Sequence, residues 1–210
     1  MAKILVGDDH PVVRKGIKQI LIEDKNISFI GEACSPNEVM EMVKKQHWDA
    51  VILDITMPGR GGLEVTKELK REYPNLPILI LSIHSEEQYG VRAIKAGAAG
   101  YMTKESAPEE LVKALRRILG GGKYLSAKLT DMIAFGVQQN STKPLHALLS
   151  DREYQVMQMI ATGQTVSDIA DKLALSVKTV STYRSRIIQK LKVKTTAEIV
   201  RYALENKLVT

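Results

Sequence analysis

The chain has 210 residues, 44% of them apolar, enough for one large domain or two small ones. It contains no apolar stretch of about eighteen residues, and Met1-Ala2-Lys3 leads straight into a short strand, so neither a membrane span nor a signal peptide is expected. The net charge of +6 is unevenly placed: residues 1–122 hold 17 basic and 17 acidic side chains, residues 144–210 hold 10 and 6. The single cysteine, Cys34, excludes an internal disulfide and suits a reducing cytosol. Within the apolar run Ile27–Cys34 it is expected to be a small buried hydrophobe.

The first half alternates strand and helix. Strands are expected over Lys3–Gly7, Ser28–Cys34, Asp49–Asp54, Pro77–Ser82 and Ala99–Thr103. Helices are expected over Pro11–Ile22, Asn37–Lys45, Gly62–Glu72, Glu86–Ala96 and Pro108–Leu119. Such alternation implies right-handed crossovers and a five-stranded, doubly wound parallel sheet. Ser35 and Ser106 each precede a glutamate by three residues, the pattern of a capped helix start, and Ser150, Thr165 and Thr195 repeat it with Glu153, Asp168 and Glu198. Gly120-Gly121-Gly122 is expected to end the first domain. Residues 123–144 read as a linker, helical in part between 123 and 138, with Gln138–Pro144 flexible. Four helices then follow, at about 151–162, 166–173, 177–191 and 195–206, without strand signals, so residues 145–210 form a second, all-α domain.

The stretch Asp49–Gly59 organises the first half. An apolar run ends in Asp54, and Pro58-Gly59 stops the element. A carboxylate at the C-terminal end of a buried parallel strand sits where open α/β sheets bind ligands. Asp54 can therefore be a nucleophile, a metal ligand or a strand-end cap. The other strand ends bring Asp8, Asp9, Ser82, Thr103 and Lys104 to the same edge. Three converging carboxylates repel one another, and a hard divalent cation such as Mg²⁺ relieves that conflict. With Lys104 and Ser82 beside them, the group can hold a phosphoryl group for in-line attack by an aspartate oxygen. No Gly-rich nucleotide loop is present, so the phosphate must arrive on another donor. His10 follows the aspartates; it is read first as a helix start and second as a ligand. His84 is read as a loop residue, and Trp48 and Tyr89 as packing.

Asp8-Asp9, Asp54 with Met57-Pro58-Gly59, Ser82, Tyr101 and Lys104 resemble the receiver domain of bacterial two-component response regulators. The resemblance implies that Asp54 is the phosphoacceptor and that the donor is the phosphohistidine of a sensor histidine kinase. It implies Mg²⁺ ligation by Asp9, Asp54 and the main-chain carbonyl of Thr56, with Asp8 acting through water. Ser82 and Lys104 would bind phosphoryl oxygens, and Tyr101 would be the switch aromatic. Glu105 and Gly7 depart from the family's usual proline and larger apolar residue.

In the second half, Val166–Ala174, Leu175-Ser176 and Val177–Leu191 read as helix, tight turn, helix. Val180, Ile187 and Leu191 form a buried stripe, and Lys178, Thr182, Ser185 and Gln189 lie opposite, flanked by Ser181 and Arg186. Residues 178–194 include six basic residues and no acid. A basic, polar face at a helix N-terminus suits a DNA major groove, and the alternative is a solvated amphipathic helix. Leu149–Glu153, Ile160–Gly163, Asp168–Ala170, Leu175-Ser176, Thr179-Val180 and Lys190-Leu191 resemble the LuxR-type DNA-binding domain. DNA contacts are expected from Lys178, Thr179, Ser181, Thr182, Tyr183, Arg184, Ser185, Arg186 and Lys190, and pairing of two copies from the helix after residue 195. Together the halves resemble NarL/FixJ-class response regulators. The implied function is phosphorylation-controlled DNA binding by a cytoplasmic homodimer, without metabolic activity. Two rivals remain: an aspartyl-phosphate phosphatase, against which stands Thr56 where a second carboxylate is needed, and a constitutive DNA-binding protein.

Overall fold

The computed structural model describes residues 1–138 and 144–209. Their contacts divide the chain into two units, Met1–Met132 and Ile133–Thr210. In the first unit, β1 (Ala2–Gly7), β2 (Ile27–Ala33), β3 (Ala50–Asp54), β4 (Ile78–Ser82) and β5 (Gly100–Thr103) form one parallel sheet in the order β2-β1-β3-β4-β5. Its helices are α1 (Pro11–Ile22), α2 (Pro36–Lys45), α3 (Gly62–Glu72), α4 (Glu86–Lys95), α5 (Ala107–Leu119) and the start of α6 (Ala127–Gln138).

β3 and β4 are buried along their whole length, as unbroken apolar runs require when helices cover both sheet faces. Ile4, Val6, Ile52, Leu79 and Leu81 share one core with Ile17 and Leu21 of α1 and Leu111, Leu115 and Ile118 of α5. The alternate residues Leu5, Val51, Leu53 and Ile80 point to the opposite face and are equally buried. Gly7 has a packing reason: a Cβ there would meet Val39 Cγ2 at 2.6 Å and Leu53 Cδ1 at 3.0 Å, so neighbouring side chains already fill the space.

Expectation and structure differ in several places. Cys34 is exposed, because β2 is an edge strand that ends at Ala33 and the thiol lies beyond it. Ser106 is not a capping residue: its backbone is already helical, and its hydroxyl bonds the Thr103 carbonyl at 3.1 Å. Gly120–Gly122 does not end the packed unit, which continues to Met132. Tyr124 adds main-chain bonds to Ala99 and Tyr101 beside β5, Ser126 donates to Glu86, Lys128 pairs with Glu87, and Leu129 is fully buried against Gly90 of α4. The Lys104–Glu105 bond, like every described peptide bond, is trans. Most of the expected flexible segment Gln138–Pro144 lies outside the described residues.

The second unit continues with a 3-10 turn at Leu145–Leu148, for which no sequence signal was found, then α7 (Asp151–Ala161), α8 (Val166–Leu173), α9 (Val177–Leu191) and α10 (Thr196–Glu205). Ser150 with Glu153 and Thr165 with Asp168 form complete capping boxes. Thr195 caps α10 through the Glu198 amide. Val180, Ile187 and Leu191 are buried in this unit, the stripe that sequence spacing predicted, and Ile169, Leu173, Ile199 and Ala203 are buried as well.

Candidate functional site

The strand order reverses between β1 and β3, so a crevice opens outside their carboxyl ends. Asp8 and Asp9 follow β1, and Asp54 ends β3 beside it, so these three carboxylates meet at that switch point. Gly62 makes the approach possible: a Cβ there would lie 2.0 Å from the Asp54 carbonyl oxygen, and the Gly62 amide donates to the Ile55 carbonyl at 2.9 Å. Only glycine lets the first turn of α3 sit this close to the strand end.

The Asp54 side chain is fully buried. Its Oδ2 accepts from Thr56 Oγ1 at 2.9 Å and from Lys104 Nζ at 3.0 Å, while its Oδ1 is buried without a protein partner. Lys104 Nζ also lies 2.7 Å from Asp8 Oδ2, so one ammonium serves two carboxylates. Burial pushes the Asp54 carboxyl above its ordinary range and Asp8 adds to this; Lys104 opposes both. Burial pulls the Lys104 ammonium down, but the two aspartates outweigh it, and its pKa is raised.

Ser82 ends β4, fully buried, and its Oγ accepts from the His84 amide at 3.1 Å. The Lys104 amide donates to the Ser82 carbonyl at 2.8 Å, which ties the two strand ends together. Tyr101 is also fully buried, and its hydroxyl donates to the His84 carbonyl at 2.8 Å. His84 packs on Tyr89 with ring centroids 5.0 Å apart, and burial lowers its pKa. Its carbonyl and amide thus connect Tyr101 to Ser82, a link the sequence did not suggest. Trp48 and Tyr89 are buried packing residues, as expected.

Asp8, Asp9, His10 and Asp54 each place a ligand atom within 4.8 Å of the others. The buried, unpartnered Asp54 Oδ1 and the oxygen-rich set fit a hard divalent cation.

In the second unit, α8 and α9 are joined by a tight turn in which Ala174 takes the left-handed conformation, φ 51°. Ser176 caps α9 by accepting from the Thr179 amide at 3.0 Å. Lys178, Thr182, Ser185 and Arg186 are exposed on α9; Ser181 and Tyr183 are half-buried. Thr182 and Ser185 donate their hydroxyls to the carbonyls of Lys178 and Ser181, at 2.9 and 3.0 Å, so they present acceptor lone pairs outward. Three expected contacts are placed differently. Thr179 Oγ1 bonds the capping Ser176 hydroxyl at 2.8 Å. Arg184 lies one turn beyond Val180 on the inner flank, with Nε buried. Lys190 Nζ lies 2.6 Å from Glu153 Oε2, a side chain only 3% exposed, and so tethers α9 to α7. The missed signal was Lys190's phase beside Ile187 and Leu191 rather than opposite them.

A receiver fold whose acidic switch-point pocket holds a buried aspartate, followed by a helix-turn-helix domain, defines a class. The family model of the response regulator receiver domain matches residues 4–116, and that of the luxR family of bacterial regulatory proteins matches residues 147–203. The chain belongs to the NarL/FixJ-class response regulators, DNA-binding transcription regulators controlled by phosphorylation. Among its relatives, Response regulator GacA of Pseudomonas aeruginosa is 38% identical over 212 residues, covering 100% of this chain and 98% of GacA. Response regulator UvrY of Escherichia coli is 36% identical over 209 residues, covering 99% and 96%. The structure of the Salmonella RcsB response regulator superimposes with a TM-score of 0.72 at 25% identity, covering 98% of each chain. That of RcsB bound to promoter rprA in the presence of phosphomimetic BeF3- gives 0.67 at 27%, covering 96% of this chain and 98% of RcsB. Among the described residues, no helix is long and apolar enough to cross a membrane.

Proposed function

We propose that Asp54 is the phosphoacceptor. The observation that carries this is the asymmetry of the carboxylate: Oδ2 is held by Thr56 and Lys104, and Oδ1 is buried and unpartnered. Attack on the phosphohistidine of a sensor histidine kinase forms the O–P bond of an aspartyl phosphate, and the P–N bond breaks with its electrons returning to the imidazole. Lys104 and Ser82 take the phosphoryl oxygens. Asp9, Asp54 and the Thr56 carbonyl would hold Mg²⁺ directly and Asp8 through water, and the ion would supply charge neutralisation in this pocket.

Ser82 Oγ accepts from the His84 amide and keeps its O–H to donate to a phosphoryl oxygen, so a movement of Ser82 toward that oxygen carries with it His84, whose carbonyl accepts from Tyr101. Phosphorylation therefore shifts the segment after β4 together with the switch residue Tyr101, one two-state element biased by one charge. The receiver, whose packed unit runs to Met132, passes this to the DNA-binding domain (145–210). There Lys178, Ser181, Thr182, Tyr183, Ser185 and Arg186 face double-stranded DNA. Two copies pair through α10, whose Leu204 is exposed beside the buried Ile199 and Ala203. RcsB, solved on promoter DNA with a phosphomimetic, is the relative that supports this reading. The chain acts as a cytoplasmic regulator without metabolic turnover.

The test is intact-mass spectrometry after incubation with acetyl phosphate. Wild type gains one phosphoryl adduct that requires Mg²⁺, and Asp54→Asn gains none. Equal labelling of the two would reject the assignment.

A further inference from the structure

His10 is the one nitrogen ligand in the acidic cluster. Its place is fixed by the chain around it. Pro11 at the first position of α1 keeps His10 extended, at φ −90° and ψ 111°, and the His10 amide donates to Asp8 Oδ1 at 2.8 Å. The ring then lies over the pocket mouth, with Nδ1 3.0 Å from Asp9 Oδ1 and 3.3 Å from Asp8 Oδ1. An octahedral cation with ligands at about 2.1 Å separates neighbouring ligand atoms by about 3 Å, so these spacings match edges of such a polyhedron.

We propose that His10 Nδ1 is a cation ligand of this site, and that it biases the site toward a first-row transition ion such as Mn²⁺ over Mg²⁺. Imidazole suits transition ions, whereas the purely oxygen-bearing set formed by the three aspartates suits Mg²⁺. The ring is 61% exposed, so it reaches a cation at the mouth of the pocket, while Asp54, fully buried, supplies an unpartnered oxygen at its floor. In the coordinating tautomer Nε2 carries the proton and faces solvent. The inference rests on the acidic cluster being the cation site proposed above.

Electron spin-echo envelope modulation of one equivalent of Mn²⁺ bound to the full-length protein reads directly coordinated ¹⁴N. Wild type should show the coupling, and His10→Ala should lack it although His47, His84 and His146 remain. Calorimetric titration should show His10→Ala losing about tenfold more affinity for Mn²⁺ than for Mg²⁺. His10→Asn, which places a side chain suited to the N-cap position there while removing the imidazole, serves if the alanine variant misfolds. No ¹⁴N coupling in wild type, coupling that survives in His10→Ala, or equal losses for both ions would overturn the proposal. In the first case His10 only hydrogen-bonds Asp9. Asp9→Asn tests the underlying cation site separately: if it abolishes Mn²⁺ binding while wild type shows no nitrogen coupling, the acidic site stands and the histidine claim falls.

Discussion

The two units each hold a lysine against a buried carboxylate, and the two pairs do opposite things. In the second unit Glu153 accepts from Lys190 at 2.6 Å and from the Ser150 amide at 2.7 Å. Burial raises its pKa, but these partners outweigh it and the group ends below its ordinary value. In the first unit Lys104 is shared between Asp8 and Asp54, one Asp54 oxygen is left unpartnered, and the Asp54 pKa ends raised. A saturated buried pair fixes a fold; an under-saturated one keeps a nucleophile and a cation seat ready.

Breaking each pair should separate them most strongly. Lys190→Met leaves Glu153 buried without its cation and should destabilise the second unit by about 3 kcal/mol, with Mg²⁺ giving no rescue. Lys104→Met should destabilise the receiver to a similar degree in EDTA, and millimolar Mg²⁺ should restore much of the loss. Urea unfolding with and without Mg²⁺ measures both. Equal rescue in the two variants would erase the distinction.

The next effect is about 2–4 kcal/mol: Leu129→Ala, a fully buried side chain against Gly90, should destabilise the receiver by that amount if residues 123–132 are part of it. A loss under 0.5 kcal/mol would mean the segment merely rests on α4.

Smaller still is the pH response. Asp54 has a raised folded-state pKa, so its contribution favours folding fully below its unfolded value and is lost as pH rises through the raised value. Glu153 has a lowered one, so its contribution is present above its ordinary value and lost as pH falls. Acidification in EDTA should therefore cost the second unit stability through Glu153 while relieving the receiver through Asp54. Asp54→Asn should stabilise the receiver at neutral pH by about 1 kcal/mol, since it removes a buried charge. A destabilised Asp54→Asn in thermal melts would contradict that sign.

The sequence made most of the fold legible, because alternating buried strands and amphipathic helices are local patterns. The boundaries of α1, α3, α8 and α9 match the spacing exactly where Pro11, Gly62, Thr165 and Ser176 mark helix starts. The acidic cluster was legible because parallel strands deliver their ends to one edge. What escaped were contacts between elements remote in sequence: Lys190 on Glu153, Tyr101 on the His84 carbonyl, Leu129 in the notch at Gly90. Charge composition counted Lys190 as a phosphate contact, whereas its phase on α9 placed it against α7. On DNA, then, Arg186→Ala should lower the salt slope by about 0.9 per lost phosphate contact, and Thr182→Ala should shift preference at a base pair. Lys190→Ala should act through stability rather than salt slope.

The central claim is that one buried aspartate governs the DNA-binding domain. The direct measurement is promoter affinity by fluorescence anisotropy for wild type and Asp54→Asn, each with and without acetyl phosphate and Mg²⁺. Wild type should bind at least about tenfold tighter when phosphorylated, within the usual range of allosteric coupling, and Asp54→Asn should not respond. Equal affinity of phosphorylated and unphosphorylated wild type would contradict the account.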